Sequence, residues 1–119
     1  MKAKKLDQDF QLPEKTIENN ILIYLRGRQI FSWKVKTVGT FDTKLGRFRK
    51  PSPLYLKGVS DILGLYNGKM IAIEVKSKKG RLSEDQKLFL HNVNVNGGVG
   101  FVARSVEDVE ERLAKWMAV

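Results

Sequence analysis

The stretch from Gly58 to Lys76 constrains the fold more than any other part of the chain. It holds two apolar runs rich in β-formers, Val59–Tyr66 and Lys69–Lys76, separated by the pair Asn67-Gly68. An Asn-Gly pair between such runs is the strongest local signal for a β-hairpin with a two-residue turn, because both turn residues must take positive φ. Side chains alternate along a strand, so Ile71, Ile73 and Val75 share one face of the second strand, and Ala72, Glu74 and Lys76 share the other. Counting back through the turn sets Asp61 nearly opposite Glu74, with Cβ atoms about 5 Å apart when the strands pair in register. Two carboxylates on an apolar hairpin repel each other. A divalent cation between them would remove the repulsion, since hard cations take oxygen ligands from one or two carboxylates.

The charge is unevenly distributed. The net charge is +9 over 119 residues. Residues 1–57 carry 13 Lys/Arg against 5 Asp/Glu, whereas residues 58–119 carry 9 against 8. The positive excess therefore precedes the carboxylate hairpin, and a clustered positive field of this kind suits a polyanion, most often nucleic acid. A basic, solvated surface with no partner is the alternative. The chain has no cysteine, which excludes a disulfide framework and a cysteine-based zinc site. No run is long and apolar enough for a transmembrane helix, so no membrane partner is expected. The basic start Met1-Lys2-Ala3-Lys4-Lys5 has no apolar segment after it and does not read as a secretory signal. The expectation is one soluble, cytoplasmic domain over residues 1–119, from a bacterial or phage-infected cell.

In chain order, residues 1–11 are expected to be flexible. Pro13 opens a helix that carries Ile17, Ile21, Tyr24 and Leu25 at helical spacing and stops at Gly27. Glu14 and Glu18 lie four apart on its flank. Glu18 is either a solvated acid near the helix N-terminus or a group leaning toward the carboxylate hairpin. Residues 29–38 read as a strand with Lys34 and Lys36 facing outward. Residues 39–57 show no clear period and form a basic loop or a β-excursion. They hold Lys44, Arg47, Arg49, Lys50 and Lys57, interleaved with Phe41, Phe48 and Tyr55. Pro51 and Pro53 argue against a central strand there. Basic side chains can neutralise phosphates and aromatic rings can stack on bases; the alternative is aromatics packed on the domain.

After the hairpin, Ser77-Lys78-Lys79-Gly80-Arg81 forms a basic turn. Ser83 and Gln86 fit the two ends of a capping box that opens a helix, which Asn96-Gly97-Gly98 ends. Residues 99–103 read as a buried strand. Ser105 caps a last helix whose stripe of Val106, Val109, Leu113, Trp116 and Met117 is core. No chemistry falls on His91, the single histidine. A helix between the hairpin and the last strand permits a crossover, hence an α/β domain with a small mixed central β-sheet flanked by helices.

These residues also carry a resemblance. Asp61 followed by Glu74-Val75-Lys76 has the form D-(x12)-E-x-K and resembles the PD-(D/E)XK nuclease superfamily, whose core is restriction-endonuclease-like. With Lys57-Gly58-Val59-Ser60-Asp61 before it and Leu82-Ser83-Glu84-Asp85-Gln86 after it, the pattern resembles the VRR-NUC family, the virus-type replication-repair nucleases, over residues 13–104. Glu74-Val75-Lys76 is the one E-x-K in the chain. Ser60 stands where the superfamily name has proline, at a position that is not a ligand.

The resemblance implies that Asp61, Glu74 and the Val75 carbonyl hold one or two Mg²⁺ or Mn²⁺, which would activate a water and stabilise the transition state. It implies that Lys76 orients or deprotonates that water and that Gln86 positions the lysine or the water. It also puts a first-helix glutamate near the metal, Glu18 with Glu14 as competitor. Lys44, Arg47, Arg49, Lys50, Lys57, Lys78, Lys79 and Arg81 are the candidate DNA contacts. Small members of the family look like dimeric endonucleases of branched DNA, Holliday junctions included. A non-catalytic nucleic-acid-binding module of the same fold, or a flap or RNA nuclease, are the alternatives.

Overall fold

The computed structural model describes residues 11–35, 41–48 and 52–118. Within them, Pro13 precedes helix α1, Glu14–Gly27, whose Ile17, Ile21, Leu22 and Leu25 are buried. The helix ends at Gly27, the expected stop. The reversal comes two residues later at Gln29, whose φ of 60° lies in the left-handed region, and the Gln29 N–H donates back to the Arg26 carbonyl. Strand β1 then spans Phe31–Lys34, shorter than the expected 29–38. The Gln29 turn delays its start. At the other end Val35 N–H still donates to the Asp61 carbonyl at 2.8 Å, while Lys36 and Val38 lie outside the described residues.

The excursion that follows contains a two-stranded antiparallel ribbon, β2 (Phe41–Asp42) with β3 (Arg47–Phe48). Of the expected basic loop, Arg49, Lys50 and Pro51 lie outside the described residues, as do residues 1–10. The hairpin follows the sequence reading: β4 (Ile62–Tyr66) and β5 (Lys69–Val75) pair antiparallel, joined at Asn67 (φ 51°) and Gly68 (φ 78°). Helix α2 (Glu84–Val95), strand β6 (Val99–Ala103) and helix α3 (Val106–Met117) complete the order.

The central sheet has the order β1-β4-β5-β6, antiparallel except for the parallel pair β5–β6. It is therefore mixed, with α2 as the crossover between its two parallel strands. Alternation along β5 divides the core in two. Ile71, Ile73 and Val75 pack with Val99, Phe101 and Ala103 against α1 and α3, through Ile17, Ile21, Leu25, Val109 and Leu113. On the opposite face Ala72 meets Leu90 and Val93 of α2. Ile21, Leu25, Ile62, Ile71 and Ile73 are fully buried, and each contributes roughly 1.5–3 kcal/mol of burial. The packing fixes β5 rigidly, and its last residues carry the charged groups.

Candidate active site

The register places the acidic pair as the hairpin count expects. Ile62 pairs with Ile73, so Asp61 and Glu74 are adjacent at the end of the sheet. Glu74 lies on the α2 face and its residue is only 3% exposed. Three neighbours define its environment. Gln86 Nε2 donates to Glu74 Oε1 at 2.9 Å. Lys76 Nζ lies 3.9 Å from the same oxygen. Asp61 sits alongside and accepts the Val75 N–H on Oδ2 at 2.8 Å. The other oxygen of Glu74, Oε2, is buried without a hydrogen-bond partner.

The energetics follow from this arrangement. Removal from water, and next the neighbouring Asp61 charge, push the Glu74 carboxyl up from 4.5 to about 8, although Lys76 pulls the other way. Near neutral pH the Glu74 carboxyl of the metal-free chain is therefore largely protonated. Glu18 of α1 feels the same field. Partial burial first, and then repulsion from Asp61, raise its pKa, against the pull of Lys34 and Lys15. Lys34 in turn donates to the side-chain oxygen of Asn19 on α1.

The structure separates the two glutamates of α1. Glu18 is the one coupled electrostatically to Asp61. Glu14 Oε1 instead accepts the Ser77 N–H at 3.1 Å, in the turn beyond Lys76. Gln86 does two things at once. Its Oε1 accepts the Ser83 N–H at 2.8 Å and its own N–H donates to Ser83 Oγ, the complete capping box, while its Nε2 reaches Glu74. Its partner in the structure is thus the carboxylate rather than the lysine. Helix α2 can present Gln86 there because Gly58 lies against its first turn. A Cβ at Gly58 (φ 78°) would stand 2.3 Å from the Asp85 carbonyl carbon and 2.6 Å from the Gln86 nitrogen.

The exposed basic residues flank this edge. Lys78, Lys79 and Arg81 lie on the turn between β5 and α2, and Lys57 directly precedes Gly58. Lys44 and Arg47 are exposed on the β2–β3 ribbon. Two features carried no sequence signal. Arg104, after β6, donates to carbonyls of the 77–80 turn across more than twenty residues of chain. Ser60 is fully buried with its hydroxyl unpaired. Only the assembled fold brings either into view.

The donor set suits a hard divalent cation. It has one buried carboxylate oxygen without a partner, a second carboxylate beside it, and a strand-end backbone. Among the described residues no group of three or more His, Asp or Glu side chains is arranged to hold a metal ion. A small cation that keeps several of its own waters is compatible with two carboxylates.

Residues 54–107 match the family model of the VRR-NUC domain. Over this stretch the chain is similar to the VRR-NUC domain. That match takes in Gly58, Asp61, Glu74, Lys76 and Gln86 and begins after α1, so Glu14 and Glu18 lie outside it. No curated protein and no solved structure matches the chain. The VRR-NUC domain points to a nuclease, and hence to a nucleic acid substrate. Its mixed four-stranded sheet with flanking helices is the α/β architecture of such a nuclease core. Among the described residues no helix is long and apolar enough to cross a membrane.

Proposed function

We propose that the chain is a metal-dependent, structure-selective DNA endonuclease that hydrolyses phosphodiester bonds in branched DNA such as Holliday junctions. The observation that carries this reading is the Asp61–Glu74 pair, in which Glu74 is buried with one oxygen unpartnered and Lys76 Nζ 3.9 Å from the other. A fold that needed only to bind nucleic acid would have no use for two repelling carboxylates at a sheet edge. Asp61, Glu74 and the Val75 carbonyl would hold Mg²⁺ or Mn²⁺, with Glu18, whose pKa is raised by burial and by the Asp61 charge, as the candidate from α1. The bound cation would supply charge stabilisation at the phosphoryl group and a lowered pKa for the attacking water.

The protein's own groups do the rest. Gln86 pins Glu74 Oε1, which fixes the plane of the carboxylate and leaves Oε2 as the oxygen free to act. The Val75 N–H holds one Asp61 oxygen in the same way. Lys76, 17% exposed at its side chain, orients the water and offsets the negative charge that grows in the transition state. Lys57, Lys78, Lys79 and Arg81 hold phosphates near this edge, and Lys44, Arg47, Arg49 and Lys50 are the further basic residues of the reading.

Resolution of a four-way junction takes two cuts in strands related by approximate symmetry. One chain carries one acidic pair, so the reading includes a two-fold homodimer. The apolar stripe of α3 packs into the core. That leaves Leu54, Tyr55 and Leu56, which are 94%, 73% and 66% exposed, as the contact it would use. The test is cleavage of duplex, flap, fork and four-way-junction DNA with Mg²⁺ or Mn²⁺. Preferred cutting of the junction is expected, with paired nicks. Binding without cleavage of any substrate would refute the enzyme and favour a non-catalytic nucleic-acid-binding module. Cutting of flaps or RNA alone would refute the junction assignment.

A further inference from the structure

The turn that follows Lys76 is held from two sides. From α1, Glu14 Oε1 accepts the Ser77 N–H. From the end of β6, Arg104 Nη1 donates to the Ser77 carbonyl at 2.5 Å and to the Gly80 carbonyl at 2.8 Å, with the Lys78 carbonyl at 3.4 Å. The turn closes on itself as well, with Gly80 N–H donating to the Ser77 carbonyl at 3.0 Å. Arg104 is anchored in its own right. Its backbone N–H donates to Asp108 Oδ2 at 2.9 Å, and the residue before it, Ala103, accepts the Lys76 N–H at 3.1 Å.

Gly80 connects this clamp to Lys76. A Cβ at Gly80 would lie 3.2 Å from Lys76 Cδ and 3.3 Å from Lys76 Cβ, so the Gly80 backbone rests on the lysine's methylene stem. Arg104 thus turns its charge inward onto carbonyl oxygens, beneath a turn that already carries Lys78 and Lys79. A cation bonded to several carbonyls of one turn offsets the repulsion it meets there, and charge-assisted hydrogen bonds are the strong ones. The two N–H groups on one planar nitrogen can serve two carbonyls at once.

We propose that Arg104 is the positioning residue for Lys76: it locks the 77–80 turn, and the turn's Gly80 holds the lysine stem so that the ammonium stays beside Glu74. This rests on the reading of Lys76 as a group of the nuclease site. The test uses Arg104→Gln, Arg104→Lys, Lys76→Ala and the double variant Arg104→Gln/Lys76→Ala in the full chain. Arg104→Gln is expected to slow single-turnover junction cleavage about 10- to 100-fold, as a misplaced catalytic group does, with the Kd for DNA unchanged. Arg104→Lys, which keeps the charge and loses the fork, should recover part of the rate. It also serves if Arg104→Gln does not fold.

In the Lys76→Ala background the Arg104→Gln change should cost nothing further, because the two act through one group. A second readout needs no nuclease activity. Acetylation of Lys76 by a water-soluble acetyl ester, followed by mass spectrometry, should be several-fold faster in Arg104→Gln than in the parent, because its stem is no longer held. Additive losses in the double variant, or an unchanged acetylation rate, would overturn the proposal. If the parent cuts no DNA, the nuclease reading falls, and the acetylation rate alone decides whether Arg104 holds Lys76.

Discussion

Replacing Glu74 by glutamine should abolish a pH dependence of stability that the buried carboxyl creates. In the folded chain without metal the carboxyl titrates at about 8, against 4.5 for a solvated glutamate. Between those values the folded state holds a proton that the unfolded state has released. Stability is therefore fully present below about 4.5, falls as pH rises through the window, and levels off above about 8. At about 1.4 kcal/mol per pH unit the window would be worth at most about 5 kcal/mol. The site opens at the sheet edge, where water and counter-ions screen the charge, so about 2 kcal/mol is the expected size. For a domain of this length that is a Tm fall of roughly 6–10 °C between pH 5 and pH 8.5 in chelator. Glutamine keeps the acceptor that Gln86 uses, so Glu74→Gln should fold with little slope. The raised Glu18 contributes with the same sign in both proteins and largely cancels in their difference. Differential scanning calorimetry of both proteins across pH is the assay. Millimolar Mg²⁺ or Mn²⁺ should flatten the parent's curve by binding the ionised pair. A parent-minus-variant Tm difference that does not move with pH would refute the reasoning.

The remaining expectations are separate. Asp61→Asn, Glu74→Gln and Lys76→Ala should each reduce cleavage on the order of 10²-fold or more while DNA binding survives; parent-like cutting by Glu74→Gln in a gel assay would displace the site. Neutralising Arg47, Arg49 and Lys50 together should flatten the salt dependence of DNA binding by roughly 2–3 in log–log slope, as read by fluorescence anisotropy, and leave Mn²⁺ binding intact. Gly58→Ala forces a Cβ into the backbone of Asp85 and Gln86 at positive φ, and should cost about 3 kcal/mol in chemical denaturation. Light scattering at micromolar concentration should give twice the 13.6 kDa chain mass, and Leu54→Glu should return the monomer.

The hairpin was legible because its information is local. Asn67-Gly68 names its turn, period-2 alternation names its faces, and counting through the turn brings Asp61 to Glu74. The α2 capping box was legible for the same reason, since Ser83 and Gln86 are three residues apart. What sequence reasoning missed depends on distant chain. The place of Glu14 required the docking of α1 on the sheet, which brings its Oε1 to the Ser77 N–H. The Gln86–Glu74 bond required α2 to sit as close as Gly58 allows. The end of α1 at Gly27 was legible, but the left-handed reversal at Gln29 was not, because glycine is the usual residue in that conformation. Arg104 offered no pattern at all, since its acceptors are backbone carbonyls, which every residue has.

The most direct test of the central claim is titration of the metal-free protein with Mn²⁺ at pH 7, by calorimetry in buffers of different ionisation enthalpy. If Asp61 and Glu74 form the cation site, Mn²⁺ should bind the parent with release of close to one proton, because a carboxyl that titrates at about 8 is largely protonated at that pH. Asp61→Asn and Glu74→Gln should lose both the binding and the proton. Binding that persists unchanged in Glu74→Gln, or no binding by the parent, would contradict the assignment of the carboxylate pair as the metal centre.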